Sequence, residues 1–250
     1  MTSERDIEKN IIDSFSKHAK SYDRHAQLQK SMAERLATLL PDPLPPRVLE
    51  IGCGTGVFTR HLLARPVRNL YLNDISPTMI EQLKSRLVLP ELTRIVVGNA
   101  CKMKFPPVDL VAANAVFQWF RNPQESLAHL VQSLPPGGKL VFSTFGPGTL
   151  QEFRRGTSLE SPANLLSVKR WKTILQDIGL KNENSFQEIR ETFSTSTLML
   201  MKSLQQIGAA PIRMVKSGGL RKLMREYDEA FSTPQGVRAT WEIFYFSASR

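Results

Sequence analysis

The apolar run Arg47-Val48-Leu49-Glu50-Ile51 breaks directly into Gly52-Cys53-Gly54-Thr55-Gly56, three glycines at alternate positions. Such a run reads as a buried strand, and the periodic residues from Val57 to Ala64, with Val57, Leu62 and Leu63 on one side, read as the helix that follows. A strand, a glycine turn and a helix form the opening unit of an open α/β sheet, in which ligands sit outside the carboxyl ends of the strands. Glycine lets the backbone approach a ligand with no Cβ in between. The spacing departs from the dinucleotide fingerprint G-x-G-x-x-G, which would require glycine where Val57 stands. On this turn alone, a structural role and a binding role both stay open.

The unit repeats in kind. A strand is expected over 69–74 and a helix over 77–87, with Ser76 as its cap and Pro77 in its first turn. Strands follow at 93–98 and 108–113, then a helix at 123–134, and Pro135-Pro136-Gly137-Gly138 turns the chain into a strand from Lys139 to Thr144. Alternating strands and helices predict a mostly parallel sheet covered on both faces. Upstream, Ile7, Ile11, Ile12, Phe15, Ala19 and Tyr22, then Leu28, Met32, Leu36, Leu39 and Leu40, recur at helical spacing and predict two helices. Neither could bury enough surface alone, so residues 1–40 are expected to form a helical lid on the main domain, 47–250. Between them Pro41-Asp42-Pro43-Leu44-Pro45-Pro46 cannot continue a helix. After Gly148 the pattern predicts helices near 149–155 and 167–178, a strand near 185–193, helices near 197–207 and 219–230, and a last strand at 241–246. Residues of about 194–233 thus form a helical insertion before the last strand.

With 250 residues, 41% of them hydrophobic and 22% charged, the chain is long enough for one globular domain with an appendage. No apolar run approaches the roughly 18–20 residues of a membrane span, and Met1-Thr2-Ser3-Glu4-Arg5-Asp6 is too charged to open a secretory signal, so a cytoplasmic location is expected. Two cysteines, Cys53 and Cys101, form no C-x-x-C pair, which makes a disulfide framework or a structural metal a poor reading. The 33 Lys and Arg against 23 Asp and Glu favour acidic partners without choosing among them, and a merely solvated basic surface is the plain alternative.

Asp74 narrows the choice. It ends the second expected strand 18 residues after Gly56, where a carboxylate can accept hydrogen bonds from a ribose diol. Ser76 lies nearer the cap position, so capping does not account for Asp74.

The pattern Glu50-x-Gly52-x-Gly54-x-Gly56, with an acid ending strand two, resembles the class I S-adenosylmethionine-dependent methyltransferases, over about residues 47–145. The resemblance implies a Rossmann-like sheet with S-adenosyl-L-methionine as cofactor. It places Gly52, Gly54 and Gly56 against the methionine portion, Asp74 on the ribose, Asn99 and Ala100 beside the adenine, and Asn114 near the methionine amino group. Glu50, Cys53, Ile75 and Tyr22 complete the expected cofactor set. Asn99 stands where the family usually has an acid; its amide still has groups to offer adenine edges.

Finer features are similar to one family within that class. Phe15-x-x-x-Ala19-x-x-Tyr22-Asp23-x-His25-Ala26-x-x-Gln29, Asn114-Ala115-Val116-Phe117-Gln118-Trp119, Phe145-Gly146-Pro147-Gly148-Thr149-Leu150, Ser203-Leu204-x-x-Ile207-Gly208-Ala209 and Ala239-Thr240-Trp241-Glu242-Ile243-Phe244-Tyr245 resemble the malonyl-acyl-carrier-protein O-methyltransferases of biotin synthesis. That implies methylation of the free carboxylate of a malonyl thioester on an acidic acyl-carrier protein. A carboxylate is already ionised at neutral pH and needs no general base, but it does need a cation. Arg154 is the first candidate, Arg155 and Arg221 the next, and Tyr22 and Gln118 are placed near the reaction. Arg213, Lys216, Arg221, Lys222 and Arg225 would steer the carrier. The rivals are a C-methyltransferase of a quinone-type molecule, a nucleic-acid methyltransferase and a non-catalytic adaptor. Asn114-Ala115-Val116-Phe117 is not the Asn-Pro-Pro-Tyr type, and the intact glycines and Asp74 speak against lost cofactor binding.

Overall fold

A computed structural model of the chain describes residues 4–154, 164–208 and 217–250. Its sheet contains β1 (Arg47–Ile51), β2 (Asn69–Asp74), β3 (Arg94–Val97), β4 (Leu110–Asn114), β5 (Lys139–Phe145), β6 (Lys181–Ser194), the two-residue β7 (Ser232–Thr233) and β8 (Gly236–Ser249). The strand order is β3-β2-β1-β4-β5-β8-β6, with β7 paired to β8. The first five strands are parallel, and β8 runs antiparallel to both β5 and β6.

The helices are α1 (Glu4–His18), α2 (Tyr22–His25), α3 (Gln27–Ala37), α4 (Thr59–Leu63), α5 (Pro77–Arg86), α6 (Pro123–Leu130), α7 (Gln151–Arg154), α8 (Val168–Asp177), α9 (Thr197–Gln206) and α10 (Ser217–Phe231). Successive strand residues point to opposite faces, and both faces are covered. Val48, Leu70, Leu72, Leu110, Ala112 and Val141 pack with α3, α4, α5 and α9. Leu49, Ile51, Val111, Ala113, Leu140 and Phe142 pack with α6 and α8. This two-sided burial is why the strands read as continuous apolar runs.

The mostly parallel sheet and the helices before the last strand stand as the sequence predicts, with local differences: the last strand, expected at 241–246, runs over Gly236–Ser249 and is preceded by the unpredicted β7. The amino-terminal stretch forms three helices, because the chain turns at 19–21 and again at Ala26, whose N–H returns to the Tyr22 carbonyl. The first helix after the glycine turn begins at Thr59 instead of Val57. The strand expected near 185–193 extends over Lys181–Ser194, although Lys181, Asn182, Glu183 and Asn184 are weak strand formers. Pairing with the apolar β8, through a register shift between Asn182 and Asn184, overrides local preference there.

Candidate active site

A cavity of about 720 Å³ lies across the carboxyl ends of β4, β1, β2 and β3, and Asn114, Gly52, Asp74 and Asn99, one from the end of each strand, line it. That volume is ordinary for a small-molecule or cofactor site. Four adjacent strand ends give an elongated trough about 4.8 Å wide per strand.

The glycine turn forms its floor. Gly52 has φ +66°, and a Cβ there would stand 2.4 Å from Val116 Cγ2; Gly54 has φ +56° and nothing within 4 Å of the Cβ position, on the cavity side. Asp74 is 7% exposed. Its Oδ2 accepts the Gly54 N–H at 2.8 Å and its Oδ1 accepts the Ser76 N–H at 2.8 Å, so the acid holds the turn and the start of α5 together. Each oxygen keeps a lone pair for a further donor. Burial pushes the Asp74 carboxyl up from 3.8 to about 6, against the pull of the Ser76, Gly54 and Ile75 N–H groups. At neutral pH the group is largely ionised and suited to accept two hydroxyls. The glycine cradle and the half-satisfied buried acid fit an adenosyl cofactor.

The roof comes from the amino-terminal helices. Phe15, Tyr22 and Trp119 line the cavity as an aromatic group, with Phe15 edge-on to Trp119 at 5.6 Å and Tyr22 at 6.5 Å. Burial, with Asp74 and Asp23 nearby, raises the Tyr22 phenol above its ordinary value, so it stays protonated and is not a base at neutral pH. Asp23 latches α2 to the floor: it accepts Thr55 Oγ1 at 2.5 Å and pairs with Arg86 at 2.8 Å. The insertion in turn braces the roof. Gln206 accepts Ser21 Oγ at 3.0 Å, the Gly208 carbonyl accepts Ser14 Oγ at 3.2 Å, and a Cβ on Gly208 (φ +70°) would meet Phe15 Cδ1 at 2.7 Å. α3 lies deeper, with Met32, Ala33 and Leu36 fully buried in the core.

Of the residues singled out from sequence, Tyr22, Gly52, Gly54, Asp74, Ile75, Asn99, Ala100 and Asn114 line the cavity. Glu50, Cys53, Gly56 and Gln118 stand behind its wall. Glu50 is 1% exposed and accepts Thr59 Oγ1 at 2.7 Å; burial raises its carboxyl from 4.5 to about 8. Cys53 is buried, with its N–H on the Asn73 carbonyl and its thiol pushed up by burial. Gly56 faces Leu87 at the end of α5. Gln118 spends its amide on the Ala115 carbonyl (2.7 Å) and on Thr144 Oγ1 (3.2 Å), bracing a residue with φ +56° at the cavity edge. Asn114 is held by the Gln29 carbonyl and by Ser143 Oγ. Arg154 closes α7, but its side chain, like Arg155, Arg213 and Lys216, lies outside the described residues. Arg221, Lys222 and Arg225 are exposed on α10.

Three features were not anticipated. The Thr55–Asp23 latch was visible only as two polar residues inside longer patterns. Glu8 of α1 also lines the cavity, accepting Asn99 Nδ2 at 2.9 Å and Lys102 Nζ at 2.8 Å, which lowers its carboxyl below the ordinary range. Nothing in the helical pattern distinguishes it from other solvated acids. Glu242 fixes the Gly146-Pro147-Gly148-Thr149 loop, accepting the Gly148 N–H at 2.5 Å while its backbone N–H meets Thr149 Oγ1 at 3.1 Å. The two motifs are therefore halves of one contact.

A family profile described as a methyltransferase domain matches residues 49–142. The chain is 31% identical to a malonyl-[acyl-carrier protein] O-methyltransferase of Paenibacillus sp. (strain JDR-2), covering 90% of this chain and 92% of the relative. It is 39% identical to malonyl-[acyl-carrier protein] O-methyltransferase 1 of Ilyobacter polytropus, covering 89% of this chain and 86% of the relative. In fold it is similar to a crystal structure of a putative methyltransferase from Bacillus halodurans C-125, with TM-score 0.63, 14% identity and coverage of 86% and 98%. With near full-length similarity laid over a cavity shaped for an adenosyl group, the chain belongs to the malonyl-[acyl-carrier protein] O-methyltransferase family and is an S-adenosylmethionine-dependent methyltransferase.

Proposed function

We propose that the enzyme esterifies the free carboxylate of a malonyl group carried as a thioester on an acidic acyl-carrier protein, in the synthesis of a biotin precursor. The observation that carries the reading is that, among the described residues, the wall around the ends of β1 and β4 offers a methyl acceptor no base. Around the ends of β1 and β4 the cavity is walled by Gly52, Asn114, Ala115, Val116, Phe15 and Tyr22, and the Tyr22 phenol is held protonated. A ring carbon or enol acceptor requires a base; a carboxylate does not. When bound, the cofactor supplies an electrophilic methyl on a sulfonium. The chain's part is to hold the acceptor in line, exclude water beneath the Phe15, Tyr22 and Trp119 roof, and pair the carboxylate's charge.

In this reading Arg154 pairs with the malonyl carboxylate, with Arg155 and Arg221 as successors, and residues 1–40 act as the lid that excludes water. Tyr22 closes over the reacting groups, and Gln118 acts through the Ala115 turn it braces. The exposed Arg221, Lys222 and Arg225 of α10 supply a basic approach for an acidic carrier.

Incubation with methyl-labelled cofactor and a panel of malonyl-carrier protein, malonyl-CoA, a quinone precursor and RNA tests the assignment. Label is expected in the malonyl thioesters alone. Label in the quinone precursor or RNA, with none in the thioesters, would overturn it.

A further inference from the structure

The site leaves one cofactor contact unassigned. The trough runs past Asp74 to the end of β3, since Asp74 pairs with Val97 and its carbonyl accepts the Gly98 N–H. A nucleoside whose ribose meets Asp74 therefore places its base one strand further, beside Gly98, Asn99 and Ala100. A purine bearing an exocyclic amine presents a donor there, and a buried donor needs an acceptor. Asn99 is the obvious candidate, but both ends of its side chain are engaged within the chain. Its Oδ1 accepts the Cys101 N–H at 3.0 Å, and its Nδ2 donates to Glu8 Oε2 at 2.9 Å.

Glu8 differs in the respect that matters. The bonds from Asn99 and from Lys102 both end on Oε2, and among the described residues no donor meets Oε1. The side chain is 27% exposed and lines the same cavity as Asp74 and Ala100. The Lys102 ammonium keeps it ionised, and an ionised carboxylate is the stronger acceptor.

We infer that Glu8, reaching in from α1, is the residue that accepts the hydrogen bond of the cofactor's exocyclic purine amine, with Asn99 and Lys102 as its positioning residues. The inference rests on the cavity being the adenosyl site. It makes α1 part of the cofactor's own binding surface, so cofactor binding and the roof's stability are coupled.

The test is calorimetric and reads selectivity, which a merely structural residue would not move. The full chain is titrated with S-adenosylhomocysteine and with its 6-deamino counterpart, which lacks only the amine. The unsubstituted chain should prefer the amino form by about tenfold or more, the worth of one hydrogen bond to a charged group. Glu8→Ala should bring the ratio close to one, and Glu8→Gln, which keeps a carbonyl acceptor, should restore part of it. Alanine is the best helix former, so α1 should persist in the first variant. A Glu8→Ala chain that weakened both ligands equally and kept the full ratio would overturn the inference. An unsubstituted chain that bound neither ligand would overturn the cofactor site and this inference with it.

Discussion

Glu50 offers the sharpest energetic test. Its carboxyl is 1% exposed, Thr59 is its hydroxyl donor, and burial lifts it from 4.5 to about 8. In the folded chain it is therefore mostly protonated at pH 7, whereas in the unfolded chain it is ionised. A folded pKa raised above the unfolded one means that the native state binds more protons between the two values, so stability falls as pH rises. The contribution is fully present below pH 4.5 and is lost progressively up to about pH 8. At roughly 1.4 kcal/mol per pH unit, the whole interval corresponds to about 5 kcal/mol, and about 3 kcal/mol of this is already lost at pH 7. Glu50→Gln keeps the size and an acceptor for Thr59 but cannot ionise. Urea unfolding of both chains from pH 5 to pH 8.5 should show the variant gaining on the parent as pH rises, by a few kcal/mol at the upper end. Asp74, raised over a lower interval of 3.8 to about 6, is common to both chains and cancels in the difference. Equal pH slopes in the two chains would refute the reasoning, and so would a variant destabilised uniformly at every pH.

On the expectation that Asp74 accepts two ribose hydroxyls, calorimetry on Asp74→Ala should show cofactor affinity falling at least about tenfold in a folded chain. Gly52→Ala forces a side chain onto φ +66° and against Val116 Cγ2; cofactor binding should be lost, and adding Val116→Ala should recover thermal stability only in part, because the backbone strain remains. Arg154→Ala should depress methylation of malonyl-CoA and malonyl-carrier protein alike. Arg221→Ala with Lys222→Ala should hurt only the carrier substrate and flatten the salt dependence of its association rate, as measured by stopped flow.

What could be read in the sequence follows a physical divide. β1, β2 and β5 are buried on both faces, so their apolar runs alone mark them, and Asp74 falls at a strand end with one backbone partner, the Ser76 N–H, only two residues on. Ser76 and Pro77 fixed the start of α5 because a cap is a contact over three residues. Glu8, the Asp23–Thr55 latch and the Gly208–Phe15 contact join segments 32 to 193 positions apart, and no local pattern encodes which polar residue meets which. Gly208 shows this well: its sequence neighbourhood suggests a helix end, yet its lack of a side chain serves an aromatic of the first helix. The length of β6 was hidden for the same reason, since its polar half is a strand only by virtue of β8.

The pairing of Ser194 with Val237 has an evolutionary reading. The chain leaves the sheet at the end of β6 and re-enters in the two-residue β7, which turns at once into β8, so that Ser194 and Ser232 flank the same Val237 from opposite sides. Whatever is spliced between them hangs from a closed gate: lengthening or shortening it changes the loop entropy only logarithmically and shifts no register in the strands beneath. The segment carrying α9 and α10 is thus tied at two fixed points, and since α9 covers the sheet and Gln206 and Gly208 brace the roof, a new acceptor is accommodated by changing the exposed face of α10 while those contacts are kept.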